Sequence, residues 1–191
     1  MKILKTFNSL DEINNIESCA LALGNFDGVH KGHRALITKA VSAAKKHGIK
    51  SAVFTFSNHP KSMIPGSKEF KNIIYSEEKE ALIEELGVDY LFNIEFNRDI
   101  MTMSPVDFIE KLLVGKFKAA EVFCGFNYRF GFKAGGNVAL LRAEGKKLGF
   151  RVSAIEPVTV DGEVVSSTLI RSLIKSGDVD ECYKYLGRNY D

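Results

Sequence analysis

The sequence predicts an α/β domain in which a mostly parallel sheet is covered by helices on both faces. Short apolar runs of strand length alternate along the chain with amphipathic stretches of helix length, the pattern left by strands joined through helical crossovers. The first clear strand candidate, Cys19–Leu23 (CALAL), is apolar at every position, as a strand buried on both faces is. No internal repeat or low-complexity tract interrupts the alternation. At 191 residues the chain has room for one such domain with a small appendage, and we expect a single domain over residues 1–191.

Taken in order, the elements are these. After the Cys19–Leu23 strand and a glycine-rich turn, residues 33 to 47 repeat apolar side chains at helical spacing (Leu36, Ile37, Ala40, Val41, Ala44), and Gly48 supplies a C-terminal cap. Lys50 to Phe56 reads as a second strand, followed by the loop Ser57-Asn58-His59-Pro60. Lys61 to Lys71 is polar and aperiodic, a surface loop by expectation. Glu77 to Leu86 is a helix candidate with Ser76 as its N-cap, two acids at its positive end and Gly87 as its stop. Asp89 to Ile94 is the next strand. Ser104-Pro105-Val106-Asp107 opens a helix by three signals at once: a Ser cap, Pro at the first position and an acid three residues after the cap. Ala120 to Gly125 is a strand, Asn137 to Leu148 a helix, and Phe150 to Ile155 the last strand of the series. Val158 to Val165 has the form of a hairpin around Asp161-Gly162, and two short helices near residues 168–175 and 179–186 finish the chain.

Composition narrows the function classes. Hydrophobic residues make up 45% and charged residues 26%, the proportions of an ordinary soluble globular protein. A net charge of +2 is too small to argue for nucleic acid or an anionic membrane as partner. Cys19, Cys124 and Cys182 are far apart with no CxxC pair, which suggests buried thiols in a reducing compartment rather than disulfides or a zinc site. The N-terminal MKILKTFNSLDEINN has no signal-peptide core, and no apolar run approaches a membrane span. The expectation is a soluble cytoplasmic protein without a structural metal.

Four places could carry chemistry. Gly24 to His33 (GNFDGVHKGH) sits at the carboxyl end of a strand and the amino end of a helix, where open α/β sheets bind ligands and free backbone N–H groups favour anions. His30 and His33 bracket Gly32, which permits close approach to the backbone, and two imidazoles there suit a polyphosphate by donating hydrogen bonds and carrying charge as needed. Asp27 in the same loop could orient backbone, a ligand hydroxyl or hydrated Mg²⁺, or make a simple Asx-type turn. The second place is the loop around His59, which Pro60 could fix at a pocket edge. The third, residues 124 to 137 (CGFNYRFGFKAGGN), gathers aromatics, cations and glycines after a strand and can offer flat stacking surfaces beside phosphate-binding cations. In the fourth, Ser166, Ser167 and Thr168 open a helix and Arg171 falls one turn further on the same side, so hydroxyls, N–H groups and a guanidinium could grip a phosphate together. No Ser/His/Asp triad, Walker lysine motif or CxxC pair competes with these. Two phosphate-binding loops without a covalent nucleophile point to direct nucleotidyl transfer.

GNFDGVHKGH, a His-Pro loop after the second strand, CGFNYRFGFKAGGN and SSTLIR occur in the order of the FAD synthetase module of bacterial bifunctional riboflavin kinase/FAD synthetases, and the chain resembles that module from about Cys19 to Tyr190. HxGH and SSTxxR belong to the wider HxGH nucleotidyltransferase superfamily; the NYRFG loop and the His-Pro element make the resemblance narrower. The resemblance implies a Rossmann-like adenylyltransferase fold that uses Mg-ATP and FMN to make FAD and pyrophosphate. By that similarity His30, His33 and Arg171 would be catalytic, holding the phosphates and the charge that develops during transfer. Gly24, Asn25, Phe26, Gly28, Ser166, Ser167 and Thr168 would bind ATP. His59, Pro60, Asn127, Tyr128 and Arg129 would bind FMN. No protein metal site is implied, since Mg²⁺ would be held through the phosphates.

Two departures stand out. SNHP replaces the acidic residue and proline usual before His-Pro, and Leu169 stands where many relatives have a basic residue. The chain also stops where the riboflavin kinase domain begins in bifunctional relatives. The expectation is no riboflavin phosphorylation, with a separate riboflavin kinase supplying FMN. The competing readings are another HxGH transferase with a different phosphate acceptor, and a non-catalytic flavin- or nucleotide-binding protein.

Overall fold

Six strands run parallel: β1 (Lys5–Phe7), β2 (Cys19–Leu23), β3 (Lys50–Phe56), β4 (Tyr90–Ile94), β5 (Ala119–Gly125) and β6 (Arg151–Ile155). Their order across the sheet is β1-β4-β3-β2-β5-β6. The structure is a computed structural model, and it describes residues 3–63 and 71–190. Most of the loop expected over Lys61 to Lys71 therefore lies outside the described residues; Pro60–Met63 form a single tight helical turn.

The central strand β2 shows why the sheet is two-sided. Cys19, Leu21 and Leu23 join one apolar cluster and Ala20 and Ala22 the other, because successive side chains of a strand point to opposite faces. On the alanine face lie α1 (Lys31–His47), α2 (Ser76–Glu84), α6 (Ser167–Ser176) and α7 (Val179–Leu186), which contribute Ile37, Ile83, Ile170 and Leu186 to the cluster. The small alanines let α1 sit close, and its stripe of Leu36, Ile37, Ala40, Val41 and Ala44 is buried there. Burying one Leu or Ile of this kind stabilises the fold by roughly 1.5–3 kcal/mol. The opposite face carries α5 (Val138–Leu148) and the helical segment that begins with α4 (Pro105–Asp107).

Local chemistry explains most of the boundaries. Asn137 caps α5 by accepting from the Leu140 N–H at 2.9 Å, and Gly48, Gly149, Gly177 and Gly187 end four helices in the left-handed conformation. Ser104 caps α4 through the Asp107 N–H at 3.0 Å and also donates to the Asp107 carboxylate at 3.0 Å. Ser104→Ala is expected to cost about 1 kcal/mol, read as a lower urea midpoint at unchanged slope. Asp161 and Gly162 both adopt positive φ (52° and 83°), as a tight hairpin turn requires, and join β7 (Thr159–Val160) to β8 (Glu163–Val164).

Four details differ from the sequence expectation. Ser76 is not a cap: its hydroxyl accepts from Asn93 of β4 at 3.0 Å, so it lies inside the first turn of α2, and Tyr75 takes the cap position without a side-chain bond. Beyond α4 the helix widens over Phe108–Lys116, where the Phe117 N–H donates to the Leu112 carbonyl five residues back, at 2.8 Å. At the N-terminus, β1 adds an unexpected edge strand beside β4, and a short helix α3 (Arg98–Thr102), capped by Asn97, precedes α4.

Candidate active site

Because every main strand points the same way, the loops after β2, β3, β5 and β6 emerge at one edge of the sheet. The chain passes from β2 to β3 on one side and later places β5 on the other, so a crevice opens beyond the carboxyl end of β2. A cleft of about 430 Å³ lies there, lined by Gly24, Asn25, Phe26, His30 and His33 from the first loop and by His59 and Lys61 after β3. Phe126, Asn127 and Tyr128 line it after β5, Pro157 and Val158 after β6, and Ser166, Ser167, Thr168 and Arg171 at the start of α6.

The first loop is held by burial. Phe26 and Val29 adopt positive φ (47° and 37°), a strained choice for side chains of this kind, while both are fully buried. A Cβ on Gly24 would come within 3.0 Å of the Phe26 ring, which explains the glycine. The Asn25 carbonyl accepts from Thr55 Oγ1 of β3 at 2.9 Å.

His30 is the N-cap of α1. Its Nδ1 accepts the His33 N–H at 3.2 Å, so the neutral ring carries its proton on Nε2. The two imidazoles are stacked, with centroids 3.5 Å apart and planes 16° from parallel, and His33 meets the Phe26 ring edge-on at 5.2 Å. Burial pushes the His30 pKa down to about 4, with the Arg171 charge also opposing protonation. Burial holds His33 well below its usual value, helped by His30, Lys79 and Arg171. His59 is likewise pushed to about 4 by burial and by Arg171, Lys61 and Lys79. Of the two roles expected for the histidines, hydrogen bonding and charge, neutral pH leaves the first.

A pH dependence of stability follows. Unfolded, His30 takes a proton near 6.5, whereas folded it resists protonation down to about 4. Its contribution is therefore fully present above pH 6.5 and is lost as the pH falls toward 4. For His30 alone the loss by pH 5 is on the order of 2 kcal/mol. Urea midpoints at pH 7 and pH 5 test this, and coincident midpoints would mean the ring protonates freely in the fold.

Across the cleft, Ser166 caps α6 by accepting the Leu169 N–H at 3.2 Å, while the Ser167 hydroxyl donates to the Asp27 carbonyl at 2.9 Å. Arg171 Nη2 forms an ion pair with Asp27 Oδ2, and Asp27 Oδ1 accepts the Ile73 N–H at 2.8 Å. Asp27 orients backbone through Ile73, one of its expected roles, and in addition its backbone and carboxylate together lock α6 onto the first loop. The first turns of α1 and α6 thus converge on one volume, each bringing backbone N–H groups and helix-terminal positive potential.

Some expected site residues lie elsewhere. Gly28 does not line the cleft; it turns the loop at φ 88°, and its carbonyl accepts from Arg188 Nη1 at 3.0 Å. Pro60 borders a small neighbouring pocket with His59 rather than the main cleft. Arg129 is exposed and outside the lining. Within the aromatic loop, Phe130 turns into the core with Tyr128 stacked on it at 5.8 Å, and Phe126, 51% exposed, borders the cleft. Sequence reasoning missed Lys79, buried on α2 with Nζ donating to the Phe56 carbonyl at 2.6 Å. Its position three and four residues before Leu82 and Ile83 places it on the buried stripe, and that spacing was the available signal. Among the described residues, no group of three or more His, Cys, Asp or Glu is placed to hold a metal ion, and no helix is long and apolar enough to cross a membrane.

A family model described as FAD synthetase matches residues 12–169, which contain every loop of the cleft. The chain belongs to the FAD synthetase family. Among relatives of this family, a bifunctional riboflavin kinase/FMN adenylyltransferase of Listeria monocytogenes is 33% identical over 188 residues, covering 97% of this chain and 57% of its own length. One of the same description from Buchnera aphidicola is 29% identical over 191 residues, covering 100% of this chain and 61% of its own. The chain thus spans about three-fifths of the length of these FAD synthetase relatives. A crystal structure from Streptococcus pneumoniae, described as a macrolide-efflux protein, superposes with a TM-score of 0.86 at 28% identity, over 100% of this chain and 72% of that one. A pantoate-beta-alanine ligase from Francisella tularensis shares the fold at a TM-score of 0.61 and 15% identity, over 98% of this chain and 80% of that one. The two superpositions agree with the parallel six-stranded α/β fold described above.

Proposed function

We propose that the chain is an FMN adenylyltransferase, transferring AMP from Mg-ATP to FMN to give FAD and pyrophosphate. The observation that carries this reading is the convergence of His30 and His33, at the start of α1, with Ser166 to Arg171, at the start of α6, on one cleft beside an aromatic loop. The named FAD synthetase relatives support it.

An FMN phosphate oxygen attacks the α-phosphorus of ATP in line, the bond from that phosphorus to the β-phosphate oxygen breaks, and pyrophosphate leaves with the electron pair. The attacking oxygen is already anionic, so the site needs no general base. What the protein supplies is alignment, which can lower the barrier by roughly 7–11 kcal/mol, and donors aimed at the charge moving onto pyrophosphate. Nε2–H of His30 and the Arg171 guanidinium fill that second role, with His33 beside them. Gly24, Asn25, Phe26, Ser166, Ser167 and Thr168 bind ATP, and Gly28 keeps the loop in shape. His59 and Pro60, with Asn127 and Tyr128, bind FMN; Arg129 contributes from the exposed rim. The cleft carboxylates are Asp27, already bonded to Arg171 and Ile73, and Glu156; one further carboxylate is not a metal cage, so Mg²⁺ would enter with the ATP phosphates. When bound it offsets phosphate charge.

The reaction belongs in the cytoplasm on this reading, in keeping with three free, buried cysteines, and a riboflavin kinase activity would provide FMN. Chromatography after incubation with ATP and Mg²⁺ tests the proposal. FAD formed from FMN, with riboflavin unchanged in a parallel tube, is the expected result. A folded protein that binds FMN but forms no FAD would favour a non-catalytic binder or another acceptor.

A further inference from the structure

Lys79 is a buried charge that the mechanism above does not use. It is 7% exposed, and Nζ donates to the carbonyl of Phe56, the last residue of β3. It lines a small polar pocket with Asn25, Asp27, Asn58, His59 and Ser76 among the walls. Asn25, Asp27 and His59 also line the main cleft, which makes the pocket its side chamber; Ser166, Ser167 and Thr168 border the cleft but not the chamber. The chamber, about 10 Å³, has room for a water and none for a phosphate. The ammonium therefore sits behind the cleft wall, at the β3 end.

Burying a lysine is costly unless its charge is matched. Lys79 has no ion pair among the described residues, and the carboxylate that favours its charge, Asp27, is already paired with Arg171. Two cations share one carboxylate, which leaves a local surplus of positive charge. Burial pushes the Lys79 pKa down to about 8 against the pull of Asp27, so the group is predominantly an ammonium at neutral pH. Its field reaches into the cleft, where it disfavours protonation of His33 and His59. A neutral amide could satisfy the Phe56 carbonyl at lower cost. The charge itself calls for an anion on the far side of the wall.

We propose that Lys79 is a positioning residue for the acceptor: its buried charge draws the acceptor's phosphate monoester to the β3 end of the cleft, while Arg171 and the first turns of α1 and α6 hold the triphosphate. This rests on the adenylyl-transfer reading. It separates the two anions that must meet, giving each its own source of positive potential.

Flavin fluorescence titrations with FMN and with riboflavin, which lacks the phosphate, provide the test in the parent protein, Lys79→Gln, Lys79→Met and Lys79→Arg. Gln keeps an N–H donor for the Phe56 carbonyl and removes the charge, and Met serves as a second neutral replacement should Gln fail to fold. The parent is expected to prefer FMN. The neutral variants should lose roughly tenfold in FMN affinity at unchanged riboflavin affinity and unchanged KM for ATP, with Arg keeping most of the preference. Neutral variants that keep the FMN-to-riboflavin ratio, or lose both flavins equally, overturn the role of Lys79 while an active parent leaves the adenylyl-transfer reading standing. A parent that forms no FAD and binds both flavins alike overturns that reading, and this inference with it.

Discussion

His30→Asn is expected to lower kcat for FAD formation by about 100- to 1,000-fold, the effect of removing one preorganised donor from a developing anion. Its melting temperature should stay within a few degrees of the parent. The two effects separate because the ring does two jobs with two nitrogens. Nδ1 caps α1 by accepting the His33 N–H, and Asn is among the best replacements for a cap. Nε2–H is the donor that Asn does not reproduce at the same place. His30→Ala loses both and should cost about a further 1 kcal/mol of stability. Turnover and urea midpoints on the same preparations decide the matter; parent-like turnover in the folded Asn variant would remove His30 from the transition state.

Asp27→Ala should be the most destabilising single change in the site, by about 3 kcal/mol, because it takes the carboxylate from a partly buried guanidinium and leaves the Ile73 N–H without its acceptor. The side chains of Asp27 and Arg171 are 7% and 26% exposed, so solvent screening recovers only part of the loss. For a domain of this size that corresponds to a melting temperature lower by roughly 6–12 °C. KM for ATP should rise as well, since α6 loses its tether to the first loop. Asp27→Ala/Arg171→Ala should recover part of the stability without recovering activity. A single variant that melts with the parent would show the pair to be worth no more than a surface ion pair.

Much of this was legible in the sequence, for reasons that also mark where legibility ends. Cys19–Leu23 and Lys50–Phe56 were readable because strands buried on both faces need no partner to be recognised, and α1 because its apolar stripe, Leu36 to Ala44, repeats at helical spacing. Ser104 and Asn137 announce helix starts by local chemistry, and both do cap in the structure. Ser76 has the same chemistry but loses its hydroxyl to Asn93, a residue brought close only by the sheet. β1 has three residues and exists because β4 offers an edge; nothing within Lys5–Phe7 could signal it. The cleft follows the same division. His30, His33 and Arg171 were readable from motifs, whereas the tether through Asp27 spans 144 positions of sequence and is purely tertiary. Lys79 hides in SEEKEALIEEL, where one lysine among glutamates reads as a solvated face.

The bond that begins α1 has a dynamic consequence. If the first turn of the helix opens, Nδ1 of His30 loses the amide that keeps it unprotonated, and the ring is free to move its proton from Nε2 to Nδ1. In that second tautomer Nε2 carries a lone pair in place of its N–H. The exchange rate of a single backbone hydrogen, that of His33, would therefore report how often the other tautomer becomes accessible.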